Sequence, residues 1–432
     1  MASTSAFAAQ RASATPSLPA ISESTAAPAT ITVFNCTDAG IGSLRIAIGS
    51  AVSGDTIDLS QLTCSTITLT SGALAVDVNA LTLKGSSTHR VTIDAGRNTN
   101  HYDRAIKHTG TGILAINDLS IANAKYEDGT RKGGCIYSSG SVYLTRSTVT
   151  NCTTIDSAEF GAQGGGVYTH GNFKMVNSTV SNSLAVAGSG IAFGGGVFAN
   201  GNASVTYSTI ENNQTIANDS SSAGGLYARG DTFIESSTIS NNQSANAAGV
   251  DLAVGSQNAE IVGSTFSGNI ASQFVAAISA GCKLDLTNST IAFNTAGHGG
   301  GAVYLVANST LRNTIIVGNT NQSNGFESDF LKHSGVILTA SKNLVGISAS
   351  SLFPPGSGTL VGSGNDLTPL ADNGGSTRTH APVHNSQAVN GGGATIPTYD
   401  QRGVGFPRSL GTAVDIGSIE FDPDLIFVNG FN

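Results

Sequence analysis

Charged side chains are scarce in this chain: 20 Lys and Arg against 28 Asp and Glu in 432 residues. The places where they gather are therefore the first places to look for chemistry. One gathering spans two polar stretches, "AKYEDGTRK" (Ala124 to Lys132) and "TTIDSAEFGAQ" (Thr153 to Gln163), and holds Glu127, Asp128, Asp156 and Glu159. Two carboxylates held several ångströms apart are what acid/base cleavage of a glycosidic bond requires. The same oxygens would equally hold a hard cation such as Ca2+. Asp156 and Glu159 are the candidate catalytic pair, and Glu127, Asp128, Arg131 and Lys132 are candidate substrate contacts. The bland alternative is a set of solvated loop charges.

A second gathering emerges when similar stretches are aligned. "GGGVYTHGNFK", "GGGVFANGNAS" and "AGGLYARGDTF" place His170, Asn200 and Arg229 in one column and Asn172, Asn202 and Asp231 in another, with Lys174 just beyond. A polysaccharide lyase needs a cation to neutralise a uronate carboxylate and a base to remove a proton. Tyr168, His170, Lys174 and Arg229 are the candidate catalytic residues for that chemistry, with Asn200 and Asp231 binding substrate. The bland alternative is a mixed, solvated ladder of stacked side chains. Asp251, at the usual aromatic position of "AGVDLAV", is a further lone carboxylate.

Whether either set can act depends on the elements that carry it. Ser-Thr pairs recur at Ser147, Ser178, Ser208, Ser237, Ser264 and Ser289, at intervals of 31, 30, 29, 27 and 25 residues. A period in this range marks a solenoid, whose units bury their apolar faces only by stacking. The units lack helical periodicity. They hold short alternating runs such as "SVTYSTI" (Ser204 to Ile210), punctuated by Gly and Asn that supply the left-handed corners of sharp turns. Three short strands and three corners per unit make one rung of a parallel β-helix. The repeated Asn residues, among them Asn151, Asn182, Asn212 and Asn241, are then expected to stack as ladders, inside or at corners. The extra length of the early units lies in loops that would project on one edge, where inserts often form a binding face.

The rest of the chain divides around these repeats (66–345). Residues 1–30 hold 23 Ala, Ser, Thr or Pro and read as a flexible lead. Residues 31–65 read as an N-terminal cap. There Ser43 can start a short helix and Gly54 end it, with Leu44, Ile48, Ala51 and Val52 on one face. Such a helix would cover the open end of the first rung. Cys36 and Cys64 flank it, and a bridge between them would pin it in an oxidising compartment. Cys135 and Cys152 are close enough in sequence to pair or stack, and Cys282 reads as a buried thiol.

Several classes are disfavoured. The net charge of −8 and the lack of a basic stripe argue against nucleic-acid binding. No apolar run reaches membrane-spanning length. No Cys/His cluster has metal spacing, and no Gly-x-Ser-x-Gly elbow suits a serine hydrolase. The absence of Trp and the 6% of aromatics argue against strong sugar-stacking platforms.

The Gly-Gly-x-Ile/Val-Tyr and Ser-Thr-x-x-x-Asn units resemble the right-handed parallel β-helix repeats of bacterial surface proteins, including polymorphic outer-membrane proteins. "LTPLADNGGSTRTHAPVHNSQAVNGG" (Leu367 to Gly392) and "DQRGVGFPRSLGTAVDIGSIEF" (Asp400 to Phe421) resemble the C-terminal domain of choice-of-anchor Q proteins. The tail 422–432 is similar to endings of secreted proteins. The resemblance covers about residues 31–421 and assigns 346–421 to that C-terminal region. It implies a secreted or surface location and an all-β solenoid, and transfers no catalytic residue. Two functions follow. One is an extracellular polysaccharide-binding protein that cleaves its substrate, as lyase or glycosidase, in a lateral groove. The other is a non-catalytic adhesin or matrix component, with a homo-oligomer such as a trimer compatible with either. Geometry discriminates: Tyr168, His170, Lys174 and Arg229 lining one groove walled by the 124–163 loops would favour the enzyme.

Overall fold

The structure is a computed structural model that describes residues 27–96, 103–127, 131–156, 161–255, 258–297, 300–323, 325–393 and 397–422. Most of the expected lead and tail, with Asp128 and Glu159, lies outside them. The chain winds as a right-handed parallel β-helix, as the repeats predict. One rung shows the plan. Val167–Thr169 lies on the second face, Phe173–Val176 on the first, and Thr179–Ser181 and Leu184–Ala187 on the third. Ile191–Phe193 then leads into a Gly-Gly-Gly bend and the next rung at Val197. The first face carries 12 stacked strands and the second 10. Alternate residues point inward, so one continuous apolar core runs from Val33 to Phe353.

The polar repeats have a division of labour. Asn151, Asn182, Asn212 and Asn241 take left-handed φ angles of 57°, 51°, 55° and 55° and serve as corners. The buried ladder is one residue further on. In Asn213, Asn242, Asn269 and Asn294 the Nδ2 donates both to a carbonyl of an earlier rung and to the next Asn Oδ1, all at 2.9 to 3.1 Å. The Ser of each Ser-Thr pair forms a second ladder: the N–H of Ser147 donates to Ser178 Oγ, and so on to Ser289, at 3.1 to 3.2 Å. Both ladders use side chains to satisfy backbone groups at bends, where strands cannot.

The cap forms as expected, with one adjustment. Helix α1, Leu44–Ser50, starts at Ser43, whose side chain accepts from the Ile46 N–H. It ends at Ala51 rather than Gly54, and it buries Leu44, Ala47 and Ile48 while leaving Val52 exposed. Asp38 anchors it, pairing with Arg45 at 2.7 Å and accepting from the Thr70 and Ser71 N–H groups. Cys36 and Cys64 are bridged, as are Cys135 and Cys152, and Cys282 is free and buried. The C-terminal region folds back along the third face. Gln401 donates to Ser237 O at 3.2 Å and accepts from Thr265 Oγ1 at 2.6 Å, and the Ser418 N–H donates to Thr290 Oγ1 at 3.0 Å.

Candidate functional site

Among the described residues, the loop inserts do not wall a groove. They lie over the second face and cover a column of stacked rings, Tyr137, Tyr168, Phe198 and Tyr227, with successive centroids 5.6, 5.2 and 5.0 Å apart. Rungs in register place one ring per rung, and offset stacking holds them. Phe193, from an insert, packs against this column. Lys132 Nζ reaches the Tyr168 hydroxyl at 3.3 Å. The few aromatics thus form a stacked column, but it is covered and offers no face to a sugar: Tyr168 is 4% exposed and Phe198 1%. Tyr168 is therefore excluded from solvent and faces away from the sheet that bears Lys174. The column ends at Asp251, which accepts from Ser222 Oγ at 2.5 Å and whose carboxyl burial pushes up.

Of the loop carboxylates, Asp128 and Glu159 lie outside the described residues, and Asp156 and Glu127 are each engaged by a cation. Asp156 is buried and bound by Arg131 at 2.7 Å and by the Gly161 N–H, while Glu127 pairs with Lys125. A carboxylate drawn into a lid by a cation is satisfied there and unavailable to substrate. No three His, Cys, Asp or Glu side chains converge as a metal site among the described residues.

The aligned columns do stack. Arg229 Nη1 donates to Asn200 Oδ1 at 3.2 Å, Asn200 Nδ2 reaches the His170 carbonyl at 3.5 Å, and Arg229 lies over the Phe198 ring. His170 sits exposed at the corner between the second and first faces. Asn172, Asn202 and Asp231 form an outer ladder, each side chain accepting the N–H of the rung below at 3.0 to 3.1 Å. His170 and Arg229 therefore belong to a corner column and Lys174 to the first face, so the four proposed lyase residues do not share one groove.

Lys174 and Asp231 do meet elsewhere. They line a hollow of about 390 Å³ on the outer side of the first face, with Tyr143, Phe233 and Glu260. Tyr143, Lys174, Ser204, Phe233, Glu260 and Asp285 follow one another in register, one per rung. Glu235 stands two residues beyond Phe233 on the same side, diagonal to Glu260 on the next rung. It borders a second hollow of about 230 Å³ whose lining includes Tyr207, Pro397 and Tyr399. Burial, and then the negative charge of Glu260, push the Glu235 carboxyl above its ordinary range. Two interacting carboxylates with unlike environments, flanked by aromatic side chains and a lysine, can divide proton donation and acceptance between them. Both glutamates lie just beyond the aligned stretches, in "TFIESSTI" of the third and "AEIVGSTF" of the following repeat. Extending the Lys174 column three rungs, through Ser204 and Phe233, reaches Glu260, whose diagonal neighbour is Glu235.

No known family profile matches the chain, and no curated protein matches it. Among solved structures it is similar to the crystal structure of pectate lyase Pel9A, at 12% identity and a TM-score of 0.53, over 92% of this chain and 98% of that one. At that identity the likeness speaks for the fold.

Proposed function

We propose that this protein binds an extracellular polysaccharide across the outer side of its first face and hydrolyses it, with Glu235 as proton donor and Glu260 as the second carboxylate. The observation that carries this reading is the diagonal placement of Glu235 and Glu260 on the outer side of one face, each bordering its own hollow, with the Glu235 carboxyl raised by burial and by Glu260. Residues one rung and two positions apart lie roughly 8 Å from each other, from the strand spacing and the rise per residue. Measured between α-carbons, that span is compatible with carboxyls set far enough apart to admit a water, as in inverting hydrolysis. Glu235, protonated, gives its proton to the glycosidic oxygen. Glu260, ionised, takes one from the water that attacks the anomeric carbon. Tyr143, Phe233, Tyr207 and Tyr399 offer faces to sugar rings, and Lys174 a donor to hydroxyls. The carboxylates of Asp231, Glu235, Glu260 and Asp285 outnumber Lys174 and Lys283 here, which favours a neutral glycan over a uronate. Two disulfides support folding in an oxidising compartment, outside the cytosol. The C-terminal resemblance to choice-of-anchor Q proteins supports a secreted or surface-attached location.

Incubating the protein with a panel of polysaccharides tests this. New reducing ends are expected, without the ultraviolet absorbance of unsaturated uronates, and Glu235→Gln should lower the rate about 100-fold or more with unchanged thermal unfolding. Unsaturated products instead would move the chemistry to a lyase using Lys174. Binding without any cleavage would favour the adhesin reading on the same face.

A further inference from the structure

The buried asparagine ladder ends in a different residue. Asn213, Asn242, Asn269, Asn294 and Asn319 succeed one another rung by rung, and the next member is Asp329. Its Oδ1 does what the earlier Oδ1 atoms do, accepting from the Asn319 N–H at 3.1 Å and from Asn319 Nδ2 at 2.7 Å. Its Oδ2 cannot. Every earlier member carries a donor at that position, and Asp329 carries an acceptor.

Asp329 is fully buried, yet Oδ2 has no hydrogen-bond partner. The Gly346 N–H approaches this carboxylate but outside hydrogen-bond geometry. A buried oxygen anion left in this state is costly. Close by stands a second carboxylate. A Cβ added to Gly346 would collide with both Asp329 Oδ2 and Glu327 Oε1, so the two groups converge over one glycine. Neither is in an ion pair among the described residues. Burial, with the Glu327 charge adding to it and the Asn319 hydrogen bond opposing, pushes the Asp329 carboxyl up to about 7.

We propose that Glu327 and Asp329 hold a hard divalent cation of the calcium class at the end of the asparagine ladder. Oxygen-only ligands select a hard ion, and Ca2+ accepts irregular sets that Mg2+ does not. Two carboxylates supply its charge balance, and backbone carbonyls and water complete its shell. Glu327 is only half-buried and gives the ion a path from solvent. Gly346, having no side chain, lets both carboxylates close over its backbone. The ion would join Glu327, which is bridged to Thr320, to the end of the ladder and so clamp the last rungs.

The test uses the full chain dialysed against EDTA. Thermal unfolding and titration calorimetry are run with calcium chloride, and in parallel with magnesium chloride. A calcium-dependent rise in the unfolding temperature is expected, larger than that with magnesium. Asp329→Asn extends the asparagine ladder and should fold while losing the calcium response. Glu327→Gln, half-buried and outside the ladder, is the second variant and should lose it too. Absence of a calcium response in the wild-type chain, or its persistence undiminished in both variants, overturns the site.

Discussion

Glu235 is held above the ordinary carboxylate range first by burial and second by Glu260. Only the second contribution can be removed without disturbing the fold, because Glu260 is an exposed strand residue. Glu260→Gln should therefore lower the Glu235 midpoint, leaving it above a free glutamate because burial persists. The sign is fixed: with the neighbouring charge gone, ionised Glu235 is less disfavoured. Carboxyl titration followed by NMR checks this, and an unchanged midpoint would mean that the two groups do not interact. In the wild-type hydrolase, which needs protonated Glu235, this raised carboxyl sets the alkaline limb of the pH–rate profile above that of a free glutamate. Sequence alignment offered Lys174 and Asp231, which line the hollow beside Glu260, and also Tyr168, whose ring the inserts cover.

At the scale of the element, the asparagines of the repeat do different work. Asn269 donates through Nδ2 to Ile239 O and Asn294 Oδ1 and accepts from the Asn242 N–H and Nδ2, all in the interior. Asn241, its counterpart at the preceding corner, is needed for its left-handed backbone, φ 55°. Asn269→Ala should cost about 3 kcal/mol, since each buried group left unpaired costs about 1 to 3 kcal/mol. Asn241→Gly should cost well under about 1 kcal/mol, because glycine adopts the same conformation freely. Urea denaturation of the two variants compares them, and equal losses would sink the distinction. The aromatic column shows the same logic on the outside of a sheet. Register places the rings in line, but only the inserts decide that they are covered.

For the whole molecule, the decisive contacts join residues far apart in the chain. The C-terminal region is fastened to the third face through Gln401, Thr265 and Ser418, and it encloses Asp400, Arg402, Arg408, Asp415 and Glu420. Burial, aided by the Asp415 charge and opposed by Arg408, pushes the Glu420 carboxyl up to about 7 from the ordinary 4.5. The folded state therefore binds this proton more tightly than the unfolded chain does. The stability that it contributes is fully present below 4.5 and is lost as pH rises through about 7. Glu420→Gln should flatten that part of the pH dependence. Urea midpoints measured on both sides of the window for the wild type and the variant would show it, and parallel curves would refute it.

The solenoid, its changing period, the capping helix and the Cys36–Cys64 bridge were legible in the sequence, because each is encoded locally. Gly and Asn set corners, alternation sets which residues face inward, and repetition sets register. The pairing of Cys135 with Cys152 was left open, since spacing alone does not bring two sulfurs together. Which outward column stays open was likewise out of reach. Glu235 and Glu260 remain accessible, while Tyr168 and Asp156 are sealed beneath inserts and the third face beneath residues from the far end of the chain. Coverage of a surface depends on contacts between segments that no local pattern links, and so only the tertiary structure decided where this protein meets its surroundings.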